Sequence, residues 1–387
     1  MLHLSSLFIL PVKLCDRMVF LHFIHPRNHP GKSPHLFPPF SLNRRTFIQE
    51  QEYILMISDY TIPMKPARKE VMHFLAKDMD NIVRTYLKDI EDNWQPSDLL
   101  PVSSSDNFIA DIKALQQECR ELPYDYMVVL IGDIITEEAL PSYESWLMDM
   151  EGVEKSNTEG WSKWMRLWTA EENRHGDLLN KYVYLSGRVN MRQMEISTQY
   201  LIADGFDTGA ARDPYQNFVY TSFQELATNI SHRRTATLAK QYGNGQLSKI
   251  CGVIAADELR HAKAYKSFVS SIFEIDPSEM MLAFADMMRK RIIMPAQFLR
   301  QQGEKVGAAF THFSDAAQRL NVYTSTDYTD ITESLVKDWN IASITGLTDP
   351  AEKARDYLMG LPARFRKISD RGGFKAPLAY EFNWITR

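Results

Sequence analysis

Two five-residue frames constrain this chain more than anything else in it: Glu171-Glu172-Asn173-Arg174-His175 and Asp257-Glu258-Leu259-Arg260-His261. Each reads acid, Glu, any residue, Arg, His, with no insertion in either copy. On an α-helix, residues three apart share a face, so Glu172 with His175, and Glu258 with His261, can each aim a carboxylate and an imidazole at one point. Two such helices facing each other supply half of a two-metal carboxylate site. The four-helix form of that site needs one further Glu from each of two other helices, and the chain offers Glu137 upstream and Glu225 between the frames. A third Glu-x-x-His, Glu70-Val71-Met72-His73, lacks both the leading acid and the Arg. It reads as an ordinary amphipathic helix start.

Four carboxylates and two imidazoles with open positions suit non-haem iron that handles dioxygen, whereas structural zinc sites are rich in thiolates. The expected cofactor is therefore Fe(2+), two per subunit. Ligating imidazoles usually donate their outer N–H to a carboxylate. The acid preceding each ligand Glu lies about 100° around the helix, so Asp257 is placed to reach His175, and Glu171 to reach His261. Arg174 and Arg260 would then neutralise these outer acids.

Bulk properties narrow the alternatives. At 387 residues the chain is long enough for a substantial core in one or two domains. A formal charge of −5 argues against a general nucleic-acid binder. Cys15, Cys119 and Cys251 are far apart and form no Cys-x-x-Cys, which excludes a disulfide framework, a zinc knuckle and an iron–sulfur site. The longest apolar runs, 127–131 and 18–21, fall far short of the ~20 residues that cross a bilayer, so no membrane span is expected.

Before Glu50, Lys13, Arg17, Arg27, Lys32, Arg44 and Arg45 face a single acid, Asp16. An acid-poor basic leader reads as an organelle transit segment. Residues 1–60 are thus expected to be a leader and 65–387 the folded domain. The histidines at 22, 25, 29 and 35 are interrupted by Pro26, Pro30 and Pro34, which break any helix that would align them as ligands.

From Pro66 onward the apolar spacing is helical. Helices are expected over 69–91, 109–122, 126–150, 161–185, 191–203, 220–232, 247–273, 284–299, 306–320 and 331–338, followed by a broken, basic tail from Leu361. Few stretches alternate like strands. The fold class is all-α: a ferritin-like four-helix di-iron core with additional flanking helices.

Beyond the ligands, longer motifs carry a specific resemblance. Gly132-Asp-Ile-Ile-Thr-Glu-Glu-Ala-Leu-Pro141, Trp168-Thr-Ala-Glu-Glu-Asn-Arg-His-Gly-Asp-Leu-Leu-Asn180, Tyr184-Leu-Ser-Gly-Arg-Val189, Tyr220-Thr-Ser-Phe-Gln-Glu225, Ala256-Asp-Glu-Leu-Arg-His261 and Phe284-Ala-Asp-Met-Met-Arg-Lys290 resemble the soluble plant plastidial acyl-acyl-carrier-protein desaturases. The resemblance covers roughly Trp94 to the C-terminus. It implies iron ligands Glu137, Glu172, His175, Glu225, Glu258 and His261, and it selects Glu137 over Glu138. It further implies a homodimer in the plastid (chloroplast) stroma, reduced ferredoxin as electron donor, O2 as oxidant, and Thr228 as a proton-delivery residue. The implied reaction, part of unsaturated fatty acid biosynthesis, places a cis double bond, at the delta-9 position, in a saturated acyl chain on acyl carrier protein. A ferritin-like iron-binding protein without desaturase activity is the alternative reading; a ribonucleotide-reductase-like subunit would need a radical-storing Tyr and a partner subunit.

Three positions depart from the family pattern: Asp78 stands where a Trp is expected, and Leu259 and Ala262 where charged residues are. Carrier proteins are acidic, so a locally basic docking surface is expected; His232-Arg233-Arg234, Arg289-Lys290-Arg291 and Arg364-Phe365-Arg366-Lys367 are candidates. The resemblance also implies that the helix carrying Glu137 continues past the metal and lines the deep end of an acyl pocket. Trp146 and Met150, large and one helical turn apart, would shorten that pocket, so palmitoyl-ACP is expected to compete well with stearoyl-ACP.

Overall fold

Proline and small polar caps set where the helices begin. The computed structural model describes residues 64–205, 207–369 and 380–386; the expected leader lies outside them. Among the described residues the only extended pairing is an isolated bridge between Val189 and Ile385, and the all-α class holds. Three shorter helices come first: α1 (Pro66–Ala76), α2 (Met79–Tyr86) and α3 (Phe108–Arg120). The helix expected over 69–91 is thus two, with Asp78 between them as the N-cap residue of the second.

Next come α4 (Tyr124–Glu138) and α5 (Leu140–Met148), where one helix over 126–150 was expected. The break has a plain cause. Pro141 has no N–H to give to the Glu137 carbonyl, so the α4 ladder cannot pass it, while the first turn of a new helix tolerates proline. Met150 consequently lies beyond the end of α5.

Four long elements follow: α6 (Gly160–Ser186), α7 (Met191–Asp204), α8 (Pro214–Gln241) and α9 (Gly245–Ile275). Gly187 ends α6 in the left-handed conformation, φ +68°. The start of α8 lies upstream of the expected 220, because the Asp213 carboxylate accepts from the Tyr215 N–H at 2.9 Å and Pro214 occupies the first turn. The Asn244 side chain opens α9 by accepting from Leu247 N at 2.9 Å.

The remainder is α10 (Pro277–Lys290), α11 (Phe310–Arg319), α12 (Ser325–Asp338), α13 (Asp349–Met359) and α14 (Leu361–Ser369). A helix over 284–299 was expected; α10 instead starts at Pro277 and stops before Arg291, whose φ is +67°. The tail from Leu361 begins as a helix rather than a broken segment, with Pro362 in the first turn where its missing N–H is harmless. No helix of the described residues is long and apolar enough to cross a membrane.

The centre is made by α4, α6, α8 and α9. The last two are joined by Tyr242-Gly243-Asn244, with Gly243 at φ +83°. Trp161, Trp164, Phe218, Tyr265 and Phe268 interlock between α6, α8 and α9, with ring centroids 4.9–6.2 Å apart. Such aromatic pairs add roughly 0.5–1.5 kcal/mol each beyond burial. Rigid helices are thereby fixed around a polar interior that most cores would not tolerate.

Candidate metal centre

Both motifs sit inside long helices, α6 and α9, where the backbone ladder fixes their side chains in register. His175 Nδ1 lies 3.1 Å from Glu172 Oε2, 3.2 Å from Glu258 Oε1 and 3.9 Å from Glu137 Oε2. His261 Nδ1 lies 2.5 Å from Glu172 Oε1 and 3.7 Å from Glu225 Oε2. Two groups result, Glu137 with Glu172, His175 and Glu258, and Glu172 with Glu225 and His261, each with ligand atoms within 4.8 Å of one another. Glu172 belongs to both and gives one oxygen to each. Glu138, the rejected neighbour of Glu137, is in neither.

The outward nitrogens cross between the helices. His261 Nε2 stands 3.0 Å from Glu171 Oε2, and His175 Nε2 stands 3.5 Å from Asp257 Oδ2. Arg174 pairs with Asp257 at 2.9 Å, and Arg260 spans Glu171 at 2.7 Å and Asp257 at 2.6 Å. Trp94 closes this layer: its indole N–H donates to Asp257 Oδ2 at 3.0 Å, its ring stacks on His175 at 6.1 Å, and Arg174 lies over it at 4.1 Å. Thr228 donates to Glu258 Oε2, and the Trp168 indole donates to Glu225 Oε1 at 3.1 Å.

Gly176, directly after His175, lets α4 close on α6. A Cβ there would lie 3.2 Å from the Glu137 carbonyl carbon and 3.0 Å from Glu138 Oε1. The glycine thus favours the close approach of the two helices that brings Glu137 to the cluster.

The site is buried and crowded with charge. Glu225, Glu258, His175 and His261 are each at most 2% exposed. Burial, then the charges of Glu172 and Glu258, push Glu225 well above the usual carboxylate range, and burial raises Glu137. Burial also opposes charge on Glu172, but His175 and His261 outweigh it and hold that carboxyl below its ordinary value. Glu172 Oε1, His175 Nδ1, Glu225 Oε2 and His261 Nδ1 are buried without a hydrogen-bond partner, despite their close neighbours. They converge on shared space rather than bonding one another.

Unpaired buried charges of this kind are costly. Cations remove the cost: two divalent ions balance the four inner carboxylates with both imidazoles neutral, while Arg174 and Arg260 balance Glu171 and Asp257. The donor set fits two metals of the iron type.

All eleven residues singled out from the sequence meet here, ten of them on the inner groups or the outer layer and Thr228 on Glu258. Trp94, Trp168 and His232 were missed as site residues. The Trp-Gln-Pro punctuation marks Trp94, and Trp168 stands one turn before Glu172, but neither signal names a partner. His232 needs correcting: it is 2% exposed and bonds Glu137, so it is no part of a docking surface. Its neighbour Arg234 is committed to Asp327 through two contacts of 2.6 and 2.7 Å. The other two basic stretches meet at Tyr357, which has Arg289 at 4.7 Å and Arg364 at 5.5 Å over its ring. Trp146 is half-buried and packs edge-on against Tyr220 of α8, centroids 5.4 Å apart. Leu259 is exposed and Ala262 buried.

Known proteins resemble this chain over most of its length. The family model for fatty acid desaturase matches residues 67–386. Stearoyl-[acyl-carrier-protein] 9-desaturase 5, chloroplastic, of Arabidopsis thaliana is 48% identical over 348 residues, 88% of this chain and 87% of that protein. A chloroplastic stearoyl-[acyl-carrier-protein] 9-desaturase of Brassica napus is 49% identical over 327 residues, covering 83% and 82%. Palmitoyl-[acyl-carrier-protein] 4-desaturase 3, chloroplastic, of Ophrys sphegodes is 44% identical over 365 residues, covering 93% and 87%. With the matched region spanning all four core helices, the chain belongs to the fatty acid desaturase family.

Proposed function

We propose that this chain is an acyl-acyl-carrier-protein desaturase of the plastid stroma, acting as a homodimer with reduced ferredoxin and O2. The observation that carries the reading is Glu172 facing both imidazoles at the centre of two buried ligand groups. Glu137, Glu172, His175 and Glu258 would hold one iron, and Glu172, Glu225 and His261 the other. When bound, the iron pair supplies the two-electron activation of O2 that breaking unactivated C–H bonds requires.

The residues of the chain do the rest. Burial keeps water from the reacting space, which strengthens every electrostatic contact within it. Trp168 orients Glu225, and the Thr228 hydroxyl holds a proton against Glu258. The balance is fixed by the chemistry: two adjacent methylenes lose two hydrogens, O2 takes them together with two electrons from reduced ferredoxin and two protons from solvent, and two waters leave. The named relatives are stearoyl-carrier-protein 9-desaturases and a palmitoyl-carrier-protein 4-desaturase, which supports an acyl-ACP substrate here, and the 9-desaturases among them support delta-9 as the position. Arg289 and Arg364 about Tyr357 offer positive charge to an acidic carrier.

Purified protein supplied with ferredoxin, its reductase, NADPH, O2 and stearoyl-ACP or palmitoyl-ACP tests this by gas chromatography–mass spectrometry. A monounsaturated acyl product supports the reading. Iron oxidation with no acyl product would favour a ferritin-like iron binder instead.

A further inference from the structure

We infer that His232 is a positioning residue for Glu137, holding one carboxylate oxygen away from the metal space so that Oε2 alone faces it. The inference rests on the two-metal reading above. His232 Nε2 lies 2.9 Å from Glu137 Oε1, while Glu137 Oε2 is the oxygen turned toward His175. His232 itself belongs to neither ligand group. Its ring also neighbours the buried thiol of Cys251 on α9, so the contact on Glu137 is made where three of the four core helices meet.

The contact is also one rung of a ladder between α4 and α8. Tyr126 donates to the Thr235 carbonyl at 3.0 Å, and Ser231 donates to Asp133 at 2.9 Å. Asp133 and Glu137 are four residues apart and share a face of α4, so Ser231 and His232 grip that face at successive turns. α4 brings a single ligand to the cluster, and this grip sets where that ligand points.

The other outlying carboxylate, Glu225, is treated differently. Its second oxygen takes the Trp168 indole N–H, from α6. An indole and an imidazole on different helices therefore hold the two carboxylates, and the two metal positions are inequivalent. Loss of His232 acts on the position that uses Glu137 and spares the one that uses Glu225.

Cobalt(II) titration of the metal-free protein, followed by visible absorption and chelator competition, tests this without turnover. The native chain binds two ions. His232→Leu weakens one of them by about 10–100-fold, the usual effect of removing a ligand's outer partner, and changes the absorption of that ion alone. His232→Gln, whose amide can still donate to Oε1, restores most of the affinity. Should the Leu variant not fold, His232→Ser, polar but too short to reach Glu137, must show the same one-site loss.

Native affinity and spectra at both positions in these variants would overturn the inference while leaving the two-metal reading intact. Equal weakening of both positions, with Gln no better than Leu, would overturn it in favour of packing. A native chain that binds no metal would overturn both.

Discussion

Glu171, on one motif helix, meets the outward nitrogen of His261, on the other, at 3.0 Å. The reciprocal contact joins Asp257 to His175, and Arg260 reaches both acids. A shift of α6 along α9 would break both crossings together, so the repeated frame fixes the register of two helices as well as the donors they carry. Glu171→Gln keeps the side-chain shape but surrenders the charge that orients His261. We expect metal release to a chelator to quicken by about 10–100-fold, with the circular dichroism of the folded protein unchanged. Release at the native rate would remove Glu171 from the site.

Glu172 and Glu225 should differ when removed. Glu172 stands in both groups and Glu225 in one. Metal analysis of Glu172→Ala is expected to find neither iron held, and that of Glu225→Ala to find one. Equal losses in the two variants would contradict the shared position of Glu172.

The metal-free protein should lose stability as pH rises. Burial opposes charge on His261, yet Glu172 and Glu171 outweigh it and raise that imidazole to about 9; His175 is raised well above its ordinary value in the same manner. A folded-state value above the unfolded one means that the native state binds more protons. The stabilisation is complete below the unfolded value of about 6.5 and is lost as pH climbs through about 9. Glu137 and Glu225, raised by burial, act in the same direction from lower pH. Melting temperature of the apoprotein should therefore fall between pH 6.5 and 9. With metal bound the imidazoles are neutral in the native state, and the fall should be much smaller. Parallel pH profiles for the two forms would speak against the ligand role of these imidazoles.

Chain-length preference offers a test away from the metals. Trp146 is wedged on Tyr220 rather than standing free, and Met150 is buried beyond the end of α5. If this corner closes the acyl pocket, extra methylenes would meet packed side chains, at a cost of roughly 1–3 kcal/mol. About 1.4 kcal/mol is a tenfold preference. In competition, palmitoyl-ACP should rival or exceed stearoyl-ACP, and Trp146→Ala should shift the ratio toward stearoyl. A strong stearoyl preference that Trp146→Ala leaves unmoved would assign the indole to packing alone.

Features that belong to one helix are legible in the sequence, and those that depend on a distant partner are hard to read there. The i,i+3 pairing of Glu172 with His175, and of Glu258 with His261, is a property of one helix, so spacing alone reveals it. The crossing of Glu171 and Asp257 follows from a one-residue rotation about the same axis. His232 resisted because its neighbours in sequence, Arg233 and Arg234, make it look like part of a basic surface; its partner is 95 residues away on another helix. Trp94 resisted for the same reason, since its role depends on α9. The break after Glu138 was readable in Pro141, but the strong apolar run of α4 masked it.

Desaturation itself is tested most directly by product analysis of the reconstituted reaction: the native chain, loaded with iron, is given stearoyl- and palmitoyl-ACP with reduced ferredoxin and O2, and the double bond of the released acyl chains is located by mass spectrometry. The native chain should give one cis monoene per turnover from an acyl-ACP substrate, at the delta-9 position, and the Glu172→Ala protein none. A native, iron-loaded protein that consumes O2 and leaves every acyl chain saturated would contradict it.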